Sequence, residues 1–381
     1  MNLETAAPRG RLNELTAVRG LAALMVVAFH ARGSWHPIFE GGEGISMIVA
    51  TGWMWVHFFF VLSGFVMMEA YGRDFAGRVH ARAYWRFIVT RFGRIYPLHL
   101  FTLGVMATLF FLRAIEVVNP DGSFAASLAL TQGFTYVPLV WNGPAWSIST
   151  EWYVYLIFPL LVPVAMRLPT RALRAIWVAL ALGVVFFFTH DGGGEDWPLG
   201  RLVLCLIEFL LGCATHRLIA GHAWPHVRRR AAATLIFVMP IALLALPRAF
   251  DNAWIHAIVA VGFALSIGVL AAERTYVDDL LNGRLLQFLG LISYSIYLNH
   301  EILYSLARTA ADAWLGRPHA LHNLPTLWAL ALFPIYLAIL IGVSWATWRW
   351  IEEPLRAWFK RRARGGQSVD RLLSADRSDA R

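Results

Sequence analysis

Apolar residues fall along this chain of 381 residues in blocks close to 20 residues long, separated by short polar stretches. That is roughly the length a helix needs to cross a ~30 Å hydrocarbon core. About ten blocks are legible, at 15–32, 46–70, 95–113, 146–167, 172–189, 200–219, 231–247, 254–272, 287–308 and 327–350. The runs are continuous, whereas a closed barrel needs alternating segments of about ten residues, and an open sheet would leave its edge unpaired in lipid. The pattern predicts an all-α integral membrane protein of about ten transmembrane helices.

Composition agrees, with 58% of residues hydrophobic and 15% charged, a balance ill suited to a soluble globule. Charge then sets the orientation, because Lys and Arg stay on the cytoplasmic side. Arg9, Arg11 and Arg19 precede or open the first block, and Arg73, Arg78, Arg82, Arg86, Arg91 and Arg94 fill the second loop. Arg167, Arg171 and Arg174, then Arg228 to Arg230, fill loops on that same side. The alternate loops carry Glu40, Glu43, Glu116, Asp121, Asp191, Glu195 and Asp196 and are predicted to face outward. With Arg356, Lys360, Arg361, Arg362 and Arg364 after the last block, both termini are expected in the cytoplasm. Residues 1–356 read as one transmembrane domain and 357–381 as a basic, disordered cytoplasmic tail. The net charge of +9 needs no nucleic-acid partner, since topology and anionic lipid account for it. Cys205 and Cys213 are eight residues apart on one helix, too far for a disulfide. The first block outruns a signal-peptide core and is expected to be retained.

Ionisable side chains inside apolar blocks are costly and mark candidate function. His30 ends the first block and Glu151 lies just inside the fourth, so topology alone puts them at similar depth near the outer boundary. Such a pair suits removal of a hydroxyl proton by the imidazole, with the carboxylate orienting it. The bland readings are an interfacial histidine and a structural carboxylate tied to Trp146 and Tyr153. No G-x-S-x-G nucleophile elbow is present, which favours direct transfer without an acyl-enzyme. Arg91 and Arg94, at i and i+3, share a helix face just before Pro97 and suit the phosphates of a cytoplasmic donor such as acyl-CoA. Their plain alternative is a topology role, and Arg19 either faces a donor channel or snorkels. Ser147, Ser149 and Tyr297 are candidates for stabilising an oxyanion, and His300 sits among Ser293, Tyr294, Ser295, Asn299 and Glu301 in the ninth block. His57, Ser63 and Glu208 are further polar residues within blocks, and no metal is expected.

Six ordered stretches carry a resemblance. LTAVRGLAALMVVAFH (15–30), VHFFFVLSGFVM (56–67), RFGRIYPLH (91–99), PAWSISTEWYVYLIFP (144–159), LGLISYSIYLNH (289–300) and IEEPLR (351–356) resemble, in order, the signatures of the acyltransferase 3 family. The resemblance covers about residues 12–358. It implies a ten-helix, multi-pass protein of the inner (plasma) membrane that O-acylates, most often O-acetylates, surface glycans such as exopolysaccharide or O-antigen. Some members act on small hydroxyl compounds or macrolides. No permanently bound cofactor is implied; acyl-CoA, most often acetyl-CoA, is the co-substrate. The family's histidine matches His30, its Arg-x-x-Arg pair Arg91 and Arg94, and its membrane glutamate Glu151. Departures are His57, Asn299 and Thr16, where the family often has an acidic residue, an aromatic and an Asp. A C-terminal hydrolase-like domain carried by some members is not expected here.

The mechanism expected from these residues places the donor's phosphates at Arg91 and Arg94. His30, oriented by Glu151, then takes the proton of an acceptor hydroxyl entering from outside. The rival readings are an exporter of a glycan or lipid-linked substrate, which would show flux without dependence on acyl-CoA, and a sensor without turnover.

Overall fold

The structure, a computed structural model, describes residues 12–364 except 34, 36–42, 116–119, 135–140, 194–198, 222–228, 248, 250, 317 and 323. Among the described residues there are helices and no strands. In chain order they are α1 (Leu12–Ala31), α2 (Glu43–Ala50), α3 (Trp55–Tyr71), α4 (Ala81–Phe111), α5 (Pro120–Leu128), α6 (Trp146–Arg167) and α7 (Thr170–His190). There follow α8 (Gly200–Ala220), α9 (Arg230–Leu244), α10 (Ala253–Ala272), α11 (Asp278–Leu281), α12 (Arg284–Leu291), α13 (Ser293–Leu315) and α14 (Thr326–Thr347). Short 3-10 turns at Gly52–Met54 and Gly143–Ala145 lead into α3 and α6. Arg9, Arg11, Glu40, Glu116, Glu195, Asp196 and Arg228, on which part of the orientation argument stood, lie outside the described residues.

Among the described residues, eight helices are long and apolar enough to cross a membrane: α1, α3, α4, α6, α7, α8, α10 and α14 with its continuation. Two of the ten expected blocks fall short of that test. Helix α9 is apolar but has 15 residues. Helix α13 has 23 residues but carries Asn299, His300, Glu301, Arg308 and Asp312, and so is too polar.

Limits agree well for α6, expected over 146–167 and found over Trp146–Arg167. The largest departure is α4, expected from residue 95 and found from Ala81. Hydropathy hides its first four turns because they carry Arg82, Arg86, Arg91 and Arg94, yet arginine is a good helix former and propagates the turn. The expected tail is also corrected. The helix continues past Thr347 through a π-helical turn, Trp348–Glu352, to Arg364. Residues 357–364 are therefore helical, and 365–381 lie outside the described residues.

Burial separates the helices into two classes. Helices α3 and α10 are the most enclosed, whereas α7 and α14 turn apolar side chains outward, among them Leu182, Phe186, Leu327 and Ile335. A helix apolar on its outer face as well as its inner one is at home against lipid. The most extensive helix pair is α3 with α8. It is held at three levels: His57 Nδ1 lies 2.9 Å from Glu208 Oε1, Gly64 meets the Phe209 backbone, and His216 Nε2 lies 2.6 Å from Glu69 Oε2. The pairings advance together along both chains, so the two helices run parallel. Their closeness rests on missing side chains, since a Cβ on Gly64 would collide with the Phe209 carbonyl and one on Gly212 with the Val61 carbonyl.

Gly64→Ala is expected to cost on the order of 1–3 kcal/mol through overpacking. Gly104→Ala, where an added Cβ meets no atom within 4 Å, serves as the neutral control. Thermal unfolding of the detergent-solubilised proteins, followed by size exclusion, distinguishes them; equal midpoints would remove the crossing from its structural role.

Candidate active site

A cavity of about 180 Å³ lies between α1, α3, α4, α6 and α13. Its walls include Arg19, Arg91, Arg94, Glu151, Ser147 and Tyr297 from the expected set, together with Ser63, Tyr155, Ser293 and Tyr294. The sequence argument had separated an inner arginine mouth from an outer glutamate, but the structure puts both into one chamber. The early start of α4 explains this. Arg91 sits ten residues inside that helix, about 15 Å along it at ~1.5 Å per residue.

Each arginine is held differently. Arg19 Nη2 donates to the Gly290 carbonyl at 2.7 Å and its Nε to Ser293 Oγ at 3.0 Å. That carbonyl, near the end of α12, also accepts from Ser293 Oγ at 2.9 Å. Access to it depends on close backbone contact, since a Cβ on Gly20 would strike Gly290 and Leu289, and one on Gly290 would strike the Thr16 carbonyl. Arg94 forms an ion pair with Glu352, and its guanidinium lies 5.2 Å from the Tyr294 ring centroid. Arg91 Nη2 donates to the Tyr71 hydroxyl at 2.9 Å, while its buried Nε has no hydrogen-bond acceptor. Among the described residues Arg91 pairs with no carboxylate.

Glu151 stands in the second turn of α6. Its Oε1 accepts from Ser63 of α3 and from Tyr155, one turn further along α6, at 2.5 Å. The Ser63 and Tyr155 oxygens also lie 2.7 Å apart, but with both hydroxyl protons given to Glu151 that contact is not a further hydrogen bond. The ties expected to Trp146 and Tyr153 are replaced by this triangle. Ser147 and Tyr297 bond to each other at 2.7 Å, and Tyr297 also donates to the Pro144 carbonyl. Ser149 differs, because its hydroxyl donates to the Trp146 carbonyl and accepts the Gly133 N–H at 2.9 Å. It anchors a loop against α6 and does not line the cavity.

The expected partnership of His30 with Glu151 is not the one formed. His30 Nδ1 lies 2.9 Å from the Val26 carbonyl and 3.2 Å from His300 Nε2. A carbonyl only accepts, so Nδ1 carries the proton and His30 Nε2 keeps its lone pair as a base. His300, wholly buried, is therefore the side chain that meets His30. Neither histidine lines the cavity; the Tyr297 ring, 6.0 Å from that of His300, stands between. Sequence reasoning missed Tyr155 and Glu352. Tyr155 was within reach through its i,i+4 spacing from Glu151, but Glu352 meets an arginine 258 positions away and has no local signal.

Fold and site together define a polytopic membrane protein that encloses an arginine-lined, carboxylate-bearing chamber beside a histidine pair. The chain belongs to the acyltransferase 3 family, whose acyltransferase domain matches residues 12–349. It is thus an acyltransferase that moves groups other than aminoacyl groups. Among its relatives, acyltransferase MdmB of Streptomyces mycarofaciens is 29% identical over 355 residues, covering 87% of this chain and 89% of that protein. "Putative peptidoglycan O-acetyltransferase YrhL" of Bacillus subtilis (strain 168) is 24% identical, covering 90% of this chain but 54% of that protein. Protein 2 in picA locus of Rhizobium radiobacter is 31% identical over 170 residues, 40% of this chain and 83% of that protein. The chain thus spans about half the length of the Bacillus subtilis relative. No solved structure matches significantly.

Tyr155→Phe and Ser63→Ala each remove one donor to Glu151 and are expected to cost about 1 kcal/mol. The double variant, which leaves the buried carboxylate without either donor, is expected to lose more than the sum. Thermal unfolding of the purified variants measures this, and strict additivity would dissolve the triangle as a unit.

Proposed function

We propose that the protein transfers an acyl group, most simply acetyl, from acyl-CoA to a hydroxyl of an exopolysaccharide, O-antigen or related glycan at the plasma membrane. The observation that carries this reading is the convergence of three arginines and Glu151 on one chamber beside the His30–His300 pair. A polyanionic thioester donor needs cations that water does not screen, and guanidinium forks match phosphate geometry. At ~30 Å³ per water the chamber has room for about six waters, hence for part of such a donor and not the whole. The donor's anionic portion is held at the arginines, and its thioester arm extends past Tyr297 toward His30.

The chemistry then follows from the tautomer. His30 Nε2 takes the proton of the acceptor hydroxyl as its oxygen attacks the thioester carbonyl; the C–S bond breaks and the proton leaves with the CoA thiol. His300, instead of Glu151, steadies the imidazole that becomes charged. Glu151 balances the arginines and orders Ser63 and Tyr155. Ser147 and Tyr297, already paired at the chamber wall, are the hydroxyls able to meet the developing oxyanion. Support for the acceptor class comes from the peptidoglycan named for the Bacillus subtilis relative. In this reading α9 and α13 also cross the bilayer, α13 tolerating its polar residues because they face the bundle. That gives ten spans with both termini in the cytoplasm.

Reconstituted protein supplied with acetyl-CoA and envelope glycan is expected to add acetyl groups detectable by mass spectrometry. His30→Ala, inserted normally, is expected to lower turnover on the order of 10²–10⁴-fold. Undiminished transfer by that variant would end the general-base role, and glycan transport without acetylation would end the proposal.

A further inference from the structure

The family arginines Arg91 and Arg94 are one turn apart, yet their surroundings differ. Arg94 is met by Glu352, whose side chain is 1% exposed and whose second oxygen accepts from Ser295 at 2.8 Å. Glu352 reaches that position because the last helix changes pitch. The Glu353 N–H bonds to the Trp348 carbonyl, five residues back, in a π-helical turn. Pro354 follows at once; it has no N–H and crowds the carbonyl of an ordinary turn, which a widened turn relieves. One turn or so further on, Phe359 fills the space above Gly93, where a Cβ would collide with its side chain, and its ring stands 5.7 Å from that of Phe92. The π turn and this contact fix Glu352 at the level of Arg94. Arg91 has no carboxylate in hydrogen-bonding reach among the described residues, Glu151 acting on it only through space across the cavity, and its Nε lies buried without an acceptor.

We propose that Glu352 is a positioning residue that divides labour between the two arginines. It absorbs the charge of Arg94 and holds it in place, so that Arg91 is the cation left for an anionic, phosphate-like group entering the chamber. This rests on the reading of the chamber as a donor site. Without the carboxylate, Arg94 competes with Arg91 for the anion, and the donor settles out of line with His30.

The test uses the full chain in lipid nanodiscs, with inorganic pyrophosphate as binding probe and acetyl transfer as the kinetic reading. R91Q is expected to weaken pyrophosphate binding about tenfold or more, as loss of a charged hydrogen bond would. E352Q is expected to bind pyrophosphate at least as tightly as wild type while turnover falls on the order of tenfold to a hundredfold through misplacement. A purely structural defect would weaken both. R94Q/E352Q, which removes both charges, is expected to turn over faster than E352Q. The proposal is overturned if E352Q matches wild type in both readings, or if the double variant gains nothing over it. Should E352Q fail to insert, the double variant decides, since pyrophosphate binding as weak as that of R91Q would make Arg94 a direct ligand. If wild type binds pyrophosphate but transfers nothing from acetyl-CoA, the donor reading fails, and the binding comparison alone judges Glu352.

Discussion

A guanidinium enclosed by apolar helices has to be met by a carboxylate, a carbonyl or a ring face, because lipid offers it no water. Most of the inner architecture is the answer to that demand. Arg19 draws α1 onto the break between α12 and α13, where the Gly290 carbonyl accepts from both Arg19 and Ser293. Arg94 draws the final helix onto α4 and depends on a π turn to bring Glu352 into range. Removing one partner from such a buried pair costs ~3–5 kcal/mol, so each is a fixed post and not a passing contact.

Fixing these posts requires backbones to come closer than side chains normally permit. Glycine supplies the approach at Gly20 and Gly290 between α1 and α12, at Gly64 and Gly212 between α3 and α8, and at Gly93 beneath Phe359. Small residues at helix contacts are the usual means of association in lipid, where burying apolar surface gains nothing over the bilayer itself. Here they have a functional outcome. The α3–α8 clasp holds Ser63 against Glu151, and the α1–α12 contact aims Arg19 at the chamber.

The histidine pair shows how a tautomer can be set without a carboxylate. The Val26 carbonyl lies one turn behind His30 and obliges Nδ1 to carry the proton, and His300 accepts from the same N–H. The Nε2 lone pair is thereby left free. Tyr297, bonded to Ser147 and the Pro144 carbonyl, closes the space between this pair and the arginine chamber.

Membrane residence, the helical class and the identity of most polar residues were legible in the sequence, because hydropathy over twenty residues is a local property. Family membership was legible too, through six ordered stretches from Leu15 to Arg356. The start of α4 was not, since its arginines mimic a loop to hydropathy while favouring a helix in fact. Pairing was least legible of all. His30 and Glu151 were matched by depth, but depth leaves rotation about the helix axis free, and rotation decides which neighbour a side chain meets. Which carboxylate answers Arg94, and which group answers His30, was set only when helices distant in sequence packed at glycine contacts and fixed those rotations.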